Sequence, residues 1–287
     1  MTIPPLGLLL DVDGPLASPL TRTIAIPSIL TQLGRMANAG IPIGFNTGRS
    51  AAFINEHIAG PLIDAGLDSS ARVYGVCEKG ALWFRITAKG LGEMGVDSEL
   101  VIPGDISRDI AALVADEFAS TMFFDSEKKA MISVEQRVDV DSETYWREQK
   151  RFDAYAGKLL VDRGYGYCRP GAKILDASGN VQYRIDPTFI STDIESVVLG
   201  KDRGALRALE LVESDGPVPS VWRTAGDSRG DYAMADWLHE HGFDVEHLDV
   251  RPADGIPPRP YGVLVAGDLV HDEAGAVYLE RWAEEFV

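Results

Sequence analysis

Apolar positions recur along the chain in two rhythms. Leu6–Leu10 is a continuous apolar run ending on Asp11, the pattern of a strand buried on both faces of a parallel sheet, with a carboxylate at its C-terminal end. Ile29, Leu30, Leu33, Met36 and Ala37 then follow helical spacing, Gly40 supplies a stop, and Ile41–Phe45 is the next strand. Together these make a β-α-β unit. A second helix carrying Phe53, Ile54, Ile58, Leu62 and Ile63 follows Ser50, and short strands at Val73–Val76 and Ala81–Ile86 flank a turn at Lys79-Gly80. Right-handed crossovers place such strands side by side in one sheet.

From about Thr87 to Thr188 the order changes. A helix around Ile106, Ile110, Leu113 and Val114 leads to short strands near Met122–Phe124 and Met131–Glu135, then to a longer helix with Tyr145, Phe152, Tyr155 and Leu159, and to three strand-like pieces ending at Tyr183–Ile185. Helices followed by hairpins predict an antiparallel α+β unit. The alternation returns with a helix from Asp202, a strand over Ser220–Ala225, a helix over Gly230–His241, and strands near Phe243–Leu248 and Tyr261–Ala266, separated by a proline-rich loop at Pro252–Pro260. The predicted fold class is α/β: a doubly wound, Rossmann-like parallel sheet, discontinuous over 1–86 and 189–287, with an inserted α+β domain over 87–188.

Composition supports a folded chain of two domains: 287 residues, 45% hydrophobic and 25% charged. Charge restricts the partners. With 27 Lys and Arg against 44 Asp and Glu, the net charge of −17 repels nucleic acid and anionic membranes, so an anionic substrate must meet a local positive site. Cys77 and Cys168 are too few for a disulfide scaffold and form no CxxC pair, and no apolar stretch approaches the ~18 residues of a membrane helix; a cytoplasmic protein is expected. The five histidines make no ligand set, because His239 and His241 stand two apart and face different sides of a helix.

Chemistry concentrates in four segments at predicted strand ends or helix starts: Asp11-Val12-Asp13-Gly14, Asn46-Thr47-Gly48-Arg49, Lys201, and Gly226-Asp227-Ser228-Arg229-Gly230-Asp231. Each alone reads equally as a turn, a helix cap or a surface charge. As a set they can converge, since ligands of open α/β sheets sit outside the carboxyl ends of the strands. Asp11 and Asp227 on adjacent strands would offer hard oxygen ligands suited to Mg²⁺.

This ordered set resembles the haloacid dehalogenase superfamily, and within it the Cof-like and sugar-phosphate phosphatases, whose cap is inserted between the second and third motifs. Leu9-Leu10-Asp11-Val12-Asp13-Gly14 matches the first motif, Asn46-Thr47-Gly48-Arg49-Ser50 the second, Lys201 the third, and Gly226-Asp227-Ser228-x-x-Asp231 the fourth. Cys77-Glu78-Lys79-Gly80-Ala81 lies where such proteins tend to show Asn-Gly-Ala. The resemblance implies an Mg²⁺-dependent phosphatase of a small phosphorylated substrate, with Asp11 as nucleophile and Asp13 as general acid and base. It places Asn46, Thr47, Gly48, Arg49 and Lys201 around the phosphoryl group, and assigns the metal to Asp11, Asp13 (through its backbone carbonyl), Asp227 and Asp231. The inserted domain would be a cap that closes over the site. Two positions depart from the pattern: Pro15 stands where Thr is usual, and Gly230 where Asn is common. A phosphomutase of the same fold and a non-catalytic metabolite-binding protein remain open. So does a serine hydrolase using Ser228 within Gly-x-Ser-x-Gly, with Asp249 or Asp268 and His271, although it leaves Asp11, Asp13, Thr47 and Lys201 without a task.

Overall fold

The computed structural model describes residues 2–287 and divides into two compact units, one running to Val96 and resuming over Gly200–Val287, the other Asp97–Leu199. The first begins with β1 (Gly7–Leu10), α1 (Pro27–Asn38) and β2 (Ile43–Asn46). α1 opens on a proline, whose missing N–H has no partner to lose in the first turn, and buries Ile29, Leu33, Met36 and Ala37 along one stripe. The following helix starts as α2 (Ala51–Ile54), capped by Ser50 Oγ accepting from Phe53 N at 3.2 Å, widens into a π turn at Asn55–Ala59 and resumes as α3 (Gly60–Asp64). Pro61 accounts for the widening, because it has no N–H for the His57 carbonyl and its ring crowds that group. β3 (Val73–Cys77) and β4 (Leu82–Thr87) pair antiparallel, and β5 (Gly90–Leu91) and β6 (Gly95–Val96) extend the sheet from β4. Residues 88–96, expected in the insertion, are thus held by backbone hydrogen bonds at the edge of the larger sheet.

The second unit contains α4 (Gly104–Leu113), β7 (Met122–Phe124), β8 (Ile132–Gln136), α5 (Ser142–Asp162), β9 (Tyr167–Arg169), β10 (Ala172–Ile174), β11 (Tyr183–Pro187) and β12 (Ser191–Ser196). Its strands lie in the order β10-β9-β11-β12-β8-β7, all neighbours antiparallel except β9 and β11. Ile106, Ile110, Phe152 and Leu160 of the helices pack on Ile132, Val134, Ile185 and Ile194 of the sheet. β12 corrects the sequence reading, which ended the insertion at 188. Its Ser-Thr-Asp-Ile-Glu-Ser is polar yet wholly buried, and partners from other elements meet its central polar side chains: Thr192 Oγ1 donates to Asp153 Oδ1 at 2.8 Å, Ser133 Oγ to Asp193 Oδ1 at 2.7 Å, and Arg184 Nε to Glu195 Oε1 at 3.0 Å.

The first unit then continues with α6 (Lys201–Asp215), β13 (Val221–Gly226), α7 (Tyr232–Glu240), β14 (Asp244–Asp249), β15 (Gly262–Leu264) and α8 (His271–Phe286). The sheet runs β15-β14-β13-β1-β2-β3-β4-β5, parallel from β15 to β3, giving the doubly wound α/β architecture. Ala205, Ala208 and Val212 of α6 and Met234, Ala235 and Leu238 of α7 cover Leu9, Val76, Trp222 and Val245. α8, absent from the sequence reading, buries Ala274, Tyr278, Leu279, Trp282 and Ala283 and packs on α1. Among the described residues no helix is long and apolar enough to cross a membrane.

One buried histidine makes stability depend on pH. His247 on β14 is fully enclosed, with Nδ1 2.7 Å from Thr224 Oγ1 and its ring against Tyr232. Burial lowers its pKa from 6.5 to about 4, overcoming the upward pull of Asp231, Asp249 and Asp236. The depressed value means that the unfolded chain takes up the proton first. Stability is therefore full above pH 6.5 and falls as the pH drops toward 4, by about 3 kcal/mol at ~1.4 kcal/mol per pKa unit. Denaturant unfolding at pH 7 and pH 4 should show this loss in the wild type, and a loss smaller by about that amount in His247→Asn. Equal losses in the two proteins would refute it.

Candidate active site

The chain moves outward from β1 through β2 and β3 on one side, and through β13, β14 and β15 on the other, so the winding reverses between β1 and β13. Such a reversal opens a crevice at the carboxyl ends of the flanking strands. Leu10 is in register with Ala225 and Phe45, which brings the residues that follow each strand together; Asp11 N donates to Ala225 O at 2.9 Å. Gly14 turns the chain back at φ +92°, and a Cβ there would fall 2.5 Å from Asp227 Cβ, so only glycine permits both the turn and the approach.

Lys201, at the start of α6, is the hub. Its Nζ lies 2.7 Å from Asp11 Oδ1 and 2.6 Å from Asp231 Oδ1, and it donates to Asn46 O at 2.9 Å. Asn46 Nδ2 in turn donates to Lys201 O at 2.8 Å, so a residue 155 positions away clamps the lysine at both backbone and ammonium. Burial acts to lower the lysine pKa, but Asp11 and Asp231 outweigh it and raise it. The carboxyls divide. Burial pushes Asp11 well above the usual carboxylate range, Lys201 opposing and Asp231 and Asp13 adding to the rise. Asp227 is raised to about 6 by burial and the charge of Asp231, against Lys201 and Arg251. Asp231 is lowered despite its burial, because Lys201 and the Ser228 hydroxyl stabilise its ionised form. Ser228 Oγ and N both donate to Asp231 Oδ2, at 2.6 and 2.9 Å, so this serine closes the turn that aims Asp231.

Oxygen atoms of Asp11, Asp227 and Asp231 lie within 4.8 Å of one another. Hard donors this close, two of them pushed up by burial and mutual repulsion, suit a divalent cation that keeps several waters. Asp13 stands apart from that carboxylate group. Arg49 grips it through Nε to Oδ2 at 2.9 Å and Nη2 to Oδ1 at 2.7 Å, both side chains remaining partly exposed. The arginine expected beside the phosphoryl group is thus directed onto the expected general acid, and it also lies over the Phe53 ring, 4.6 Å from its centroid. Thr47 is fully buried, and its Oγ1 accepts from Arg49 N at 3.1 Å. Of the two departures, Pro15 presents its carbonyl to α8, where a Cβ on Gly275 would come within 1.8 Å of it. Gly230 is exposed, with room for a side chain.

Sequence reasoning took Lys79-Gly80 as a turn and as part of the segment matched to Asn-Gly-Ala, and gave Lys79 no role in the site. Glu78 and Lys79 are consecutive non-glycine residues in the left-handed region, at φ 49° and 56°. Such conformations cost on the order of 1–3 kcal/mol each and persist where the surroundings fix them. The signal available in the sequence was a lysine immediately before the glycine of that turn, just past a strand end.

No protein-family model and no curated protein matches the sequence. Solved structures do, over nearly the whole chain. The C-terminal domain of a trehalose-6-phosphate phosphatase from C. albicans covers 98% of this chain and 93% of its own, with 12% identity and a TM-score of 0.66. A haloacid dehalogenase-like hydrolase from Bacteroides thetaiotaomicron covers 98% and 99%, with 13% identity and a TM-score of 0.61. The sucrose-phosphatase of Synechocystis, solved with sucrose and phosphate, covers 99% and 98%, with 16% identity and a TM-score of 0.51. This likeness establishes the fold as that of the haloacid dehalogenase-like hydrolases, a core of parallel strands with an inserted α+β unit.

Proposed function

We propose that this protein is an Mg²⁺-dependent phosphomonoester hydrolase acting on a small phosphorylated metabolite of the sugar-phosphate class. The observation that carries the reading is Lys201 Nζ held between Asp11 and Asp231 at the strand ends, beside Asp227. The sugar-phosphate class rests on two similar structures, a trehalose-6-phosphate phosphatase and a sucrose-phosphatase. Cys77 and Cys168, both thiols rather than disulfide partners, fit a cytoplasmic location.

An oxygen of the Asp11 carboxylate attacks phosphorus, the bond to the ester oxygen breaks, and an aspartyl phosphate forms. Asp13 gives its proton to the departing oxygen, then takes one from the water that hydrolyses the acyl phosphate and restores Asp11, a double role typically contributing about 10²–10⁴-fold. Arg49 fixes the direction of the Asp13 carboxyl through two parallel bonds. Thr47 and the Gly48 amide take phosphoryl oxygens, and Lys201 offsets the charge that builds on them. Asn46 keeps Lys201 in place. Asp11, Asp227 and Asp231 would hold Mg²⁺, with the Asp13 carbonyl as a further ligand; bound there, the ion supplies the positive charge that lets one anion approach another.

Inorganic phosphate released from sugar phosphates, nucleotides and p-nitrophenyl phosphate, with and without Mg²⁺, tests this reading. Metal-dependent release that survives Ser228→Ala is expected. Cleavage of p-nitrophenyl acetate that requires Ser228, with no phosphate released from any ester, would replace it with a serine hydrolase. Transfer to an acceptor sugar with no release into water would make the protein a mutase.

A further inference from the structure

We propose that Lys79 is a phosphate-binding residue of this site, its ammonium taking an oxygen of the substrate's phosphoryl group and of the inorganic phosphate product; the identity of the anion rests on the phosphomonoesterase reading. The loop that carries Lys79 is built into the site from both ends. Lys79 N donates to Thr47 O at 3.0 Å, Glu78 N to Arg49 O at 3.2 Å, and Gly200 N to Lys79 O at 3.0 Å, so the loop joins the Thr47–Arg49 segment to the residue that precedes Lys201. The lysine stem lies against Gly48: a Cβ built on that glycine would stand 3.6 Å from Lys79 Cε and 4.0 Å from Cγ. Gly48 is two residues from Asn46, whose carbonyl receives Lys201 Nζ.

The choice of residue is informative because the backbone there resists it. Lys79 sits at φ 56°, next to Glu78 at φ 49°, where glycine or asparagine would be accommodated with less strain. What lysine adds over either is a long stem and a positive charge. The site needs that charge. Lys201 faces two carboxylates and Arg49 turns two N–H groups onto Asp13, so a third cation beside them adds to the positive charge that meets the phosphoryl group. A phosphate ester brings about two more negative charges to a chain already at −17.

Binding of inorganic phosphate, measured by titration calorimetry in the presence of Mg²⁺ on the full chain, tests the proposal together with the melting temperature without phosphate. Lys79→Asn and Lys79→Gln should each weaken phosphate binding about 10- to 100-fold, the loss expected for a charge-assisted hydrogen bond. Lys79→Arg should stay within about threefold of the wild type, since it retains the charge. The melting temperature of Lys79→Asn should hold or rise as the strained position is relaxed. Phosphate affinity in Lys79→Gln within about threefold of the wild type would overturn the proposal, whatever Lys79→Asn does, because that variant keeps an unbranched polar side chain and removes the ammonium charge. Were the wild type to hydrolyse phosphate esters with these variants binding phosphate as it does, this inference alone would fall. Were the wild type neither to bind phosphate nor release it, the phosphatase reading would fall with it.

Discussion

Asp11→Asn is expected to reduce phosphate release by about 10⁴- to 10⁶-fold, the scale of losing a covalent nucleophile, while the chain stays folded. The two halves of this expectation have separate causes. The amide keeps the shape of the carboxyl but cannot form the acyl phosphate, so the chemical step is lost whatever the substrate. Stability is retained because burial and the charges of Asp231 and Asp13 already disfavour the Asp11 carboxylate, and because Lys201 keeps its 2.6 Å contact with Asp231. Phosphate release under saturating substrate, paired with thermal unfolding of the same preparation, separates the two. Activity above about 1% of wild type in a folded Asp11→Asn protein would remove Asp11 from the nucleophile's role.

The second large effect is on the fold. Lys201→Met should cost about 3–5 kcal/mol of stability, because it leaves Asp11 and Asp231 as buried carboxylates without their cation. Methionine preserves much of the stem's packing, so the loss reports the charge. Adding Asp231→Asn to Lys201→Met should recover a large part of the stability by removing one stranded carboxylate, with no recovery of activity. Denaturant unfolding of the two single variants and the double variant closes the cycle. Additive losses would show that Lys201 and Asp231 do not depend on each other and would contradict the ion pair.

Much of the site was legible before the structure. A buried parallel strand announces itself as an apolar run, and the first polar residue after it marks the carboxyl end of the sheet, as with Asp11 after Leu10 and Asp227 after Gly226. The elements least legible were those whose local pattern differs from their tertiary role. β12 has a single apolar residue among six, and it is central in its sheet because Asp153, Ser133 and Arg184 meet its polar side chains from other elements. β5 and β6 are two residues each, too short for any periodicity. α8 did carry a helical stripe, from Ala274 to Ala283, but it followed an irregular proline-rich stretch and lay beyond the last motif.

The sequence by itself determined the alternation of strands and helices, the positions of the acidic and basic groups at strand ends, and hence the crevice in which they meet, since these follow from local patterning and from the handedness of crossovers. Tertiary structure decided which group faces which. Lys201 spans Asp11 and Asp231, Arg49 turns onto Asp13, and a strained Lys79 lies along Gly48. Such pairings depend on register and side-chain direction between segments up to some two hundred residues apart, where a shift of one residue turns a side chain to the opposite face of the sheet.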